Sequence, residues 1–209
     1  MFADITGINI LFVLVSLVVG LTLHEAMHGF AAHLLGDDTA HREGRLTLNP
    51  LAHIDVLTTI VLPMVMIMLH VPPILAAKPV PFNPERLKWD EYGAALVGLA
   101  GPFTNLVLAA VAALIFRMGS VQLDAGLSDF LITFTAMNIG IFVFNLIPFP
   151  PLDGSRVLYV FAPDPLRRVM DQIEAAGFLF LLAIILIGFQ FIAGPITNIQ
   201  EALLKFLLL

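Results

Sequence analysis

The sequence predicts an all-α polytopic membrane protein, with one membrane-embedded domain over 1–209 and about four to six transmembrane helices. Three observations predict it. Of 209 residues, 59% are hydrophobic and only 12% are charged, where soluble chains run at about 45–50% and about 25%. Mean hydropathy is +0.95. Stretches free of Asp, Glu, Lys and Arg lie at 5–24, 56–77, 92–116, 130–152 and 175–200, and each approaches or exceeds the roughly 20 residues a helix needs to cross ~30 Å of hydrocarbon. A soluble fold of this size lacks the interior to hide so much apolar surface. Lipid must therefore be part of the solvent. The formal net charge of −6 excludes the basic face that nucleic acid demands. There are no cysteines, so a metal, if one is bound, falls to His, Asp or Glu.

The first run starts after Asp4 rather than a basic segment, has no small-residue cleavage site, and continues into Glu25 and His28. It reads as a retained span and not as a cleaved leader. The second run is interrupted by Pro63 and stopped by Pro72-Pro73. The Lys78-Pro79-Val80-Pro81-Phe82-Asn83-Pro84 segment behind it is held extended by its prolines. This pattern predicts a re-entrant segment that enters as helix and returns as extended chain, which is tolerated at depth only against protein or a wet cavity. Arg45-Leu46-Thr47-Leu48-Asn49 alternates polar and apolar residues and is expected to form a short extended or hairpin piece. The third and fourth runs read as ordinary spans. Residues 163–174 carry Arg167, Arg168, Asp171 and Glu174 and read as the start of an interface-lying helix, and 196–209 as a short membrane-associated one. No repeat and no linker divides the chain.

Two motifs carry chemistry. His24-Glu25-Ala26-Met27-His28 is H-E-x-x-H, which puts two imidazoles a turn apart on one helical face, where both can reach one Zn²⁺, with a carboxylate beside it to take a proton from bound water. Ionisable groups inside a span are costly and point to function. A catalytic zinc needs a third protein ligand. Leu34 stands where the metzincin spacing would put a histidine, and His33, one residue off, points away from the His24/His28 face. His33, His41, His53 and His70 read as interface or loop histidines, and Glu43 as a weak ligand candidate. The better candidate is Asp153, which ends the uncharged stretch Asn145-Leu146-Ile147-Pro148-Phe149-Pro150-Pro151-Leu152 and precedes Gly154.

H-E-x-x-H in an apolar helix together with N-x-x-P-x-x-x-L-D-G resembles the site-2 protease family of intramembrane zinc metalloproteases. Gly36 to Ala40, Gly44 to Asp55, Ala77 to Pro81 and Ala100-Gly101-Pro102-Phe103-Thr104-Asn105 resemble its compact prokaryotic branch. The resemblance runs from about Leu21 to Gly154, departs from the branch at Val56-Leu57, and includes no PDZ-like insert. It implies one Zn²⁺ per chain, His24, His28 and Asp153 as its ligands, Glu25 as catalytic base, and Asn145 near the substrate carbonyl. Asn145 and Asn105 each have two readings, a donor to the developing oxyanion or a packing amide between helices. The expected substrate is a membrane-anchored protein or peptide, extended at the bond to be cut, and the 45–49 piece offers an edge for strand addition. The rivals are a non-catalytic membrane binding protein, against which the intact Glu25 speaks, and a transporter, which would show two similar halves with broken helices.

Topology gives a separate argument. If 56–77 re-enters, Arg42, Arg45, Lys78, Arg86, Lys88, Arg156, Arg167 and Arg168 share the zinc side, and of the ten basic residues only Arg117 and Lys205 lie opposite. If it crosses, the bias nearly vanishes. The positive-inside rule therefore favours re-entry, in a plasma membrane with the zinc toward the cytoplasm.

Overall fold

A computed structural model describes residues 7–53, 78–119, 123–183 and 189–209. Its helices are α1 (Gly7–Leu34), α2 (Thr39–Arg42), α3 (Asp90–Gly119), α4 (Ala125–Asn145), α5 (Ser155–Phe161), α6 (Asp164–Ala183) and α7 (Phe189–Leu208), with single 3₁₀ turns at Pro50–His53 and Pro84–Arg86. Among the described residues there is no β-strand. The protein is all-α, and among the described residues three helices are long and apolar enough to span a membrane: Ile10–Leu34, Asp90–Gly119 and Ala125–Asn145. The predicted run 56–77 lies outside the described residues.

The ends of the spans are written locally. Asp90 and Glu91 occupy the first turn of α3 and Arg117 the last, each sign opposing the helix dipole. Asp124 caps α4 by accepting from the Leu127 N–H at 3.0 Å. The last uncharged run is not one straight helix. Gly177 breaks α6 with φ +52, a left-handed conformation that glycine adopts without a Cβ penalty.

α1, α3 and α4 pack on one another as the core. α3 runs antiparallel to the other two, so its N-terminal half meets the C-terminal half of α1. The interior mixes polar groups with small and branched apolar side chains, and the outer face is apolar. Ser16, Asn105, Thr135 and Asn138 are fully buried, while Leu11, Leu14 and Val18 on α1 and Leu96, Phe103, Val107, Val111 and Leu114 on α3 are exposed. In water this pattern would be unstable. In lipid it is expected, since the outer face meets acyl chains and the polar groups find partners inside.

A roof of irregular chain covers the C-terminal end of α1. The Lys88 N–H donates to the Leu35 carbonyl at 2.8 Å and the Lys78 N–H to the His53 carbonyl at 2.7 Å. Residues 53 and 78, which flank the undescribed stretch, thus sit together on the face where α1 ends and α3 begins. Arg45, buried, donates to the carbonyls of Lys78 and Pro79 at 3.1 and 3.2 Å. Residues 78–83 are extended, as their prolines require, but 45–49 form bends and not the expected hairpin. The reason lies in their partners: the Asn49 N–H bonds the Thr47 hydroxyl and the Leu51 N–H bonds the Asn49 side chain, a local turn that outcompetes strand pairing.

Asp37 pins this roof. One carboxylate oxygen accepts from the Thr39 N–H and hydroxyl at 3.1 and 2.6 Å, the other from the Asn83 N–H at 2.6 Å. Burial works to raise its pKa, but the hydrogen bonds from Thr39 and Asn83, with Arg86 nearby, outweigh it and hold the carboxyl below its ordinary value. The folded pKa is therefore the lower one. Its stabilisation is complete above the unfolded value of about 3.9 and is lost as pH falls through the folded one. Asp37→Ala leaves buried donors unpaired and is expected to cost about 1–3 kcal/mol, read as a lower unfolding temperature at pH 7. The deficit relative to wild type should shrink below pH 4. A deficit that does not change with pH would separate the loss from the carboxylate.

Candidate metal centre

His24 and His28 lie one turn apart on the buried face of α1, 3% and 7% exposed. Each imidazole is aimed through its far nitrogen. His28 Nδ1 lies 2.7 Å from the Val97 carbonyl of α3. A carbonyl can only accept, so Nδ1 carries a hydrogen, and in the neutral ring Nε2 is left with a lone pair. His24 Nδ1 lies 2.6 Å from Asn105 Oδ1. The Asn105 amide faces that way because its Nδ2 donates to the Gly20 carbonyl at 3.1 Å and to Asn138 Oδ1 at 2.8 Å. His24 therefore also presents a bare Nε2.

Asp153 arrives from the loop after α4. The loop is folded back by a 2.7 Å bond from the Gly154 N–H to the Asn145 carbonyl. Only glycine fits at 154, since a Cβ there would stand 2.4 Å from the Leu146 carbonyl oxygen. The result is that His24 Nε2, His28 Nε2 and Asp153 Oδ2 converge. The two nitrogens are 3.0 Å apart, and the carboxylate oxygen is 3.0 Å from the first and 3.3 Å from the second. With both imidazoles neutral, the three are acceptors facing one another, an arrangement that a cation among them satisfies. Ligand bonds of about 2.0–2.1 Å in a tetrahedron put neighbouring ligand atoms about 3.3 Å apart. The trio matches that spacing, and two imidazoles with one carboxylate form a donor set suited to zinc. Among the described residues it is the one such cluster.

Glu25 is buried beside the trio, and its Oε2 accepts from the Val80 N–H of the roof at 2.9 Å. Glycines let the walls close. A Cβ on Gly101 would lie 2.4 Å from His28 Nε2 and 2.8 Å from His24 Cε1, and one on Gly98 would lie 2.9 Å from Arg156 and 3.0 Å from the Asp153 carbonyl oxygen.

Comparison with known proteins agrees with this geometry. Residues 117–189 match the profile of peptidase family M50. YwhC of Bacillus subtilis strain 168, provisionally assigned as a zinc metalloprotease, is 34% identical over 203 residues, covering 93% of this chain and 90% of YwhC. The chain belongs to peptidase family M50, the site-2 protease family. Rip2 of Mycolicibacterium smegmatis, with the same provisional assignment, is 28% identical over 183 residues, covering 86% of the chain and 68% of Rip2. Rip2 of Mycobacterium tuberculosis H37Rv is 31% identical over 176 residues, covering 81% and 64%. No solved structure gives a significant match. The M50 chain is a multi-pass membrane metalloendopeptidase.

Other candidate residues of this M50 chain fall elsewhere. Asn105 stands behind His24, fully buried, with both ends of its amide engaged. It faces the His24 imidazole. Asn145 is half-buried and donates to the Ile141 carbonyl of its own helix at 3.1 Å. His33 pairs with Asp38 at 2.7 Å and lies by His41 on the surface. Glu43 caps α2, exposed, and His53 meets the Thr47 carbonyl at 2.9 Å. His70 lies outside the described residues. Sequence reasoning passed over Val97, Gly98 and Asn138. Gly101 and Arg45 did carry a signal, inside the Ala100 to Asn105 and Gly44 to Asp55 stretches that resemble the family.

Proposed function

We propose that the chain is an intramembrane zinc endopeptidase that hydrolyses a peptide bond in or near a transmembrane segment of a membrane-anchored protein. The convergence of His24 Nε2, His28 Nε2 and Asp153 Oδ2 carries this reading. These three atoms would hold one Zn²⁺ and leave its fourth position open. Bound there, zinc supplies Lewis acidity, polarising a carbonyl and making water a stronger acid. Glu25 is the base. The Val80 N–H holds one of its carboxylate oxygens, which orients the other to take a proton from the attacking water and return it to the leaving amine. Asn145 would donate toward the substrate carbonyl with the amide hydrogen that Ile141 does not use. The substrate must be unwound at the cut, because a helix spends its carbonyls on its own hydrogen bonds.

The site faces the cytoplasm in this reading, and the run 56–77 is re-entrant. The clustering of basic residues and the His53–Lys78 bond support both. With no native cysteine, single-cysteine variants report directly: Asn49→Cys and Pro84→Cys should be labelled by an impermeant maleimide from the cytoplasmic side alone. Labelling of the two from opposite sides would overturn the re-entrant topology.

Metal analysis tests the site itself. The purified chain is expected to hold one zinc per molecule, and His24→Ala, His28→Ala and Asp153→Ala should each lose it. A wild-type zinc content in Asp153→Ala would remove the third ligand from the reading.

A further inference from the structure

We propose that Asn138, a residue of α4 that touches neither metal ligand nor substrate, is a positioning residue that fixes which nitrogen of His24 faces the metal. The inference rests on the metal reading above. Asn138 is fully buried. Its Nδ2 donates to the Phe134 carbonyl at 2.9 Å, its Oδ1 accepts from Asn105 Nδ2 at 2.8 Å, and Asn105 Oδ1 in turn lies 2.6 Å from His24 Nδ1.

The chain of bonds has a direction, and backbone sets it. The Phe134 carbonyl cannot donate, so Asn138 must turn its NH₂ toward it and its oxygen toward Asn105. That oxygen cannot donate either, so Asn105 must present its NH₂ there. The Gly20 carbonyl, 3.1 Å from Asn105 Nδ2, demands the same orientation. Asn105 is left with only an acceptor for His24. The imidazole answers with Nδ1–H and keeps Nε2 free. An isolated asparagine could flip its amide and invert this outcome, whereas two amides anchored on two carbonyls cannot. Gly20 makes the junction possible, because a Cβ there would lie 2.9 Å from Asn138 Oδ1 and 3.4 Å from Asn105 Nδ2. His28 needs no such relay, since it bonds a backbone carbonyl directly.

The test is zinc affinity of the full chain in detergent, by competition with a chromophoric chelator. Groups that orient a metal-binding histidine typically contribute 10–100-fold to metal affinity. Asn105→Leu and Asn138→Leu are each expected to weaken zinc within that range, and the double variant to be no weaker than Asn105→Leu. Asn138→Asp, which keeps an acceptor oxygen in place, should lie closer to wild type than Asn138→Leu. If Asn138→Leu does not accumulate, Asn138→Ser carries the test. Its hydroxyl keeps a bond to the carbonyl four residues back, as Thr104 and Thr135 do, but is too short to meet Asn105, and the loss should persist. Wild-type affinity in these variants, or losses that multiply in the double variant as at independent sites, would overturn the relay alone. Wild-type affinity in His24→Ala would overturn the metal reading and the relay with it.

Discussion

Glu25→Gln is expected to keep its zinc and lose cleavage of a membrane-anchored test substrate by about 10²–10⁴-fold, the range of a positioned general base. The substitution is nearly isosteric. Glutamine's oxygen can still accept from the Val80 N–H that holds Glu25 Oε2 at 2.9 Å, so the roof stays in place. The metal-facing atoms belong to other residues, so metal content is unaffected. Only the capacity to take a proton goes. Paired zinc analysis and cleavage assays in the same reconstituted preparation read both properties. Loss of zinc would make Glu25 a structural member of the site, and undiminished cleavage would move the base elsewhere.

Gly101→Ala is expected to weaken zinc by about 100-fold or more, beyond what loss of one orienting hydrogen bond brings. The added methyl would stand 2.4 Å from His28 Nε2, 2.7 Å from His28 Cε1 and 2.8 Å from His24 Cε1. Carbon cannot occupy that space, so both imidazoles must rotate or α3 must withdraw. Either movement breaks the 2.7 Å bond from His28 to Val97 or the 2.6 Å bond from His24 to Asn105. Alanine is a better helix former than glycine, so the helix itself gains, and a fall in zinc affinity with α3 intact isolates the steric effect. Zinc titration alongside circular dichroism checks it. Wild-type affinity would mean that the imidazoles do not lie against Gly101.

The candidate metal trio was legible because its spacing is its chemistry. Two histidines four apart on a helix share a face whatever surrounds them, and Asp153 stood out because a long uncharged stretch precedes it. The spans were legible for a similar reason, since lipid imposes one requirement along their length. The orientation of the histidines was not. Val97 acts through its carbonyl, which every residue has, and Asn138 through a partner on another helix. Asn105 read equally well as oxyanion donor or packing amide, and only the pairing of α1 with α3 put it behind His24. The 45–49 alternation pointed to a strand, but Thr47 and Asn49 can satisfy backbone groups locally, and no strand partner for them lies among the described residues.

The polar interior has a consequence for how the protein can change. Acyl chains solvate leucine as well as another leucine does, so greasy faces give these helices no reason to cohere. Cohesion must come from close packing, with side chains of neighbouring segments seated against the bare backbone of Gly20, Gly98 and Gly101, and from the amides beside them. Those same atoms aim the imidazoles. Holding together and catalysing therefore draw on one set of positions, and substitutions there will rarely leave a sturdy but inert protein.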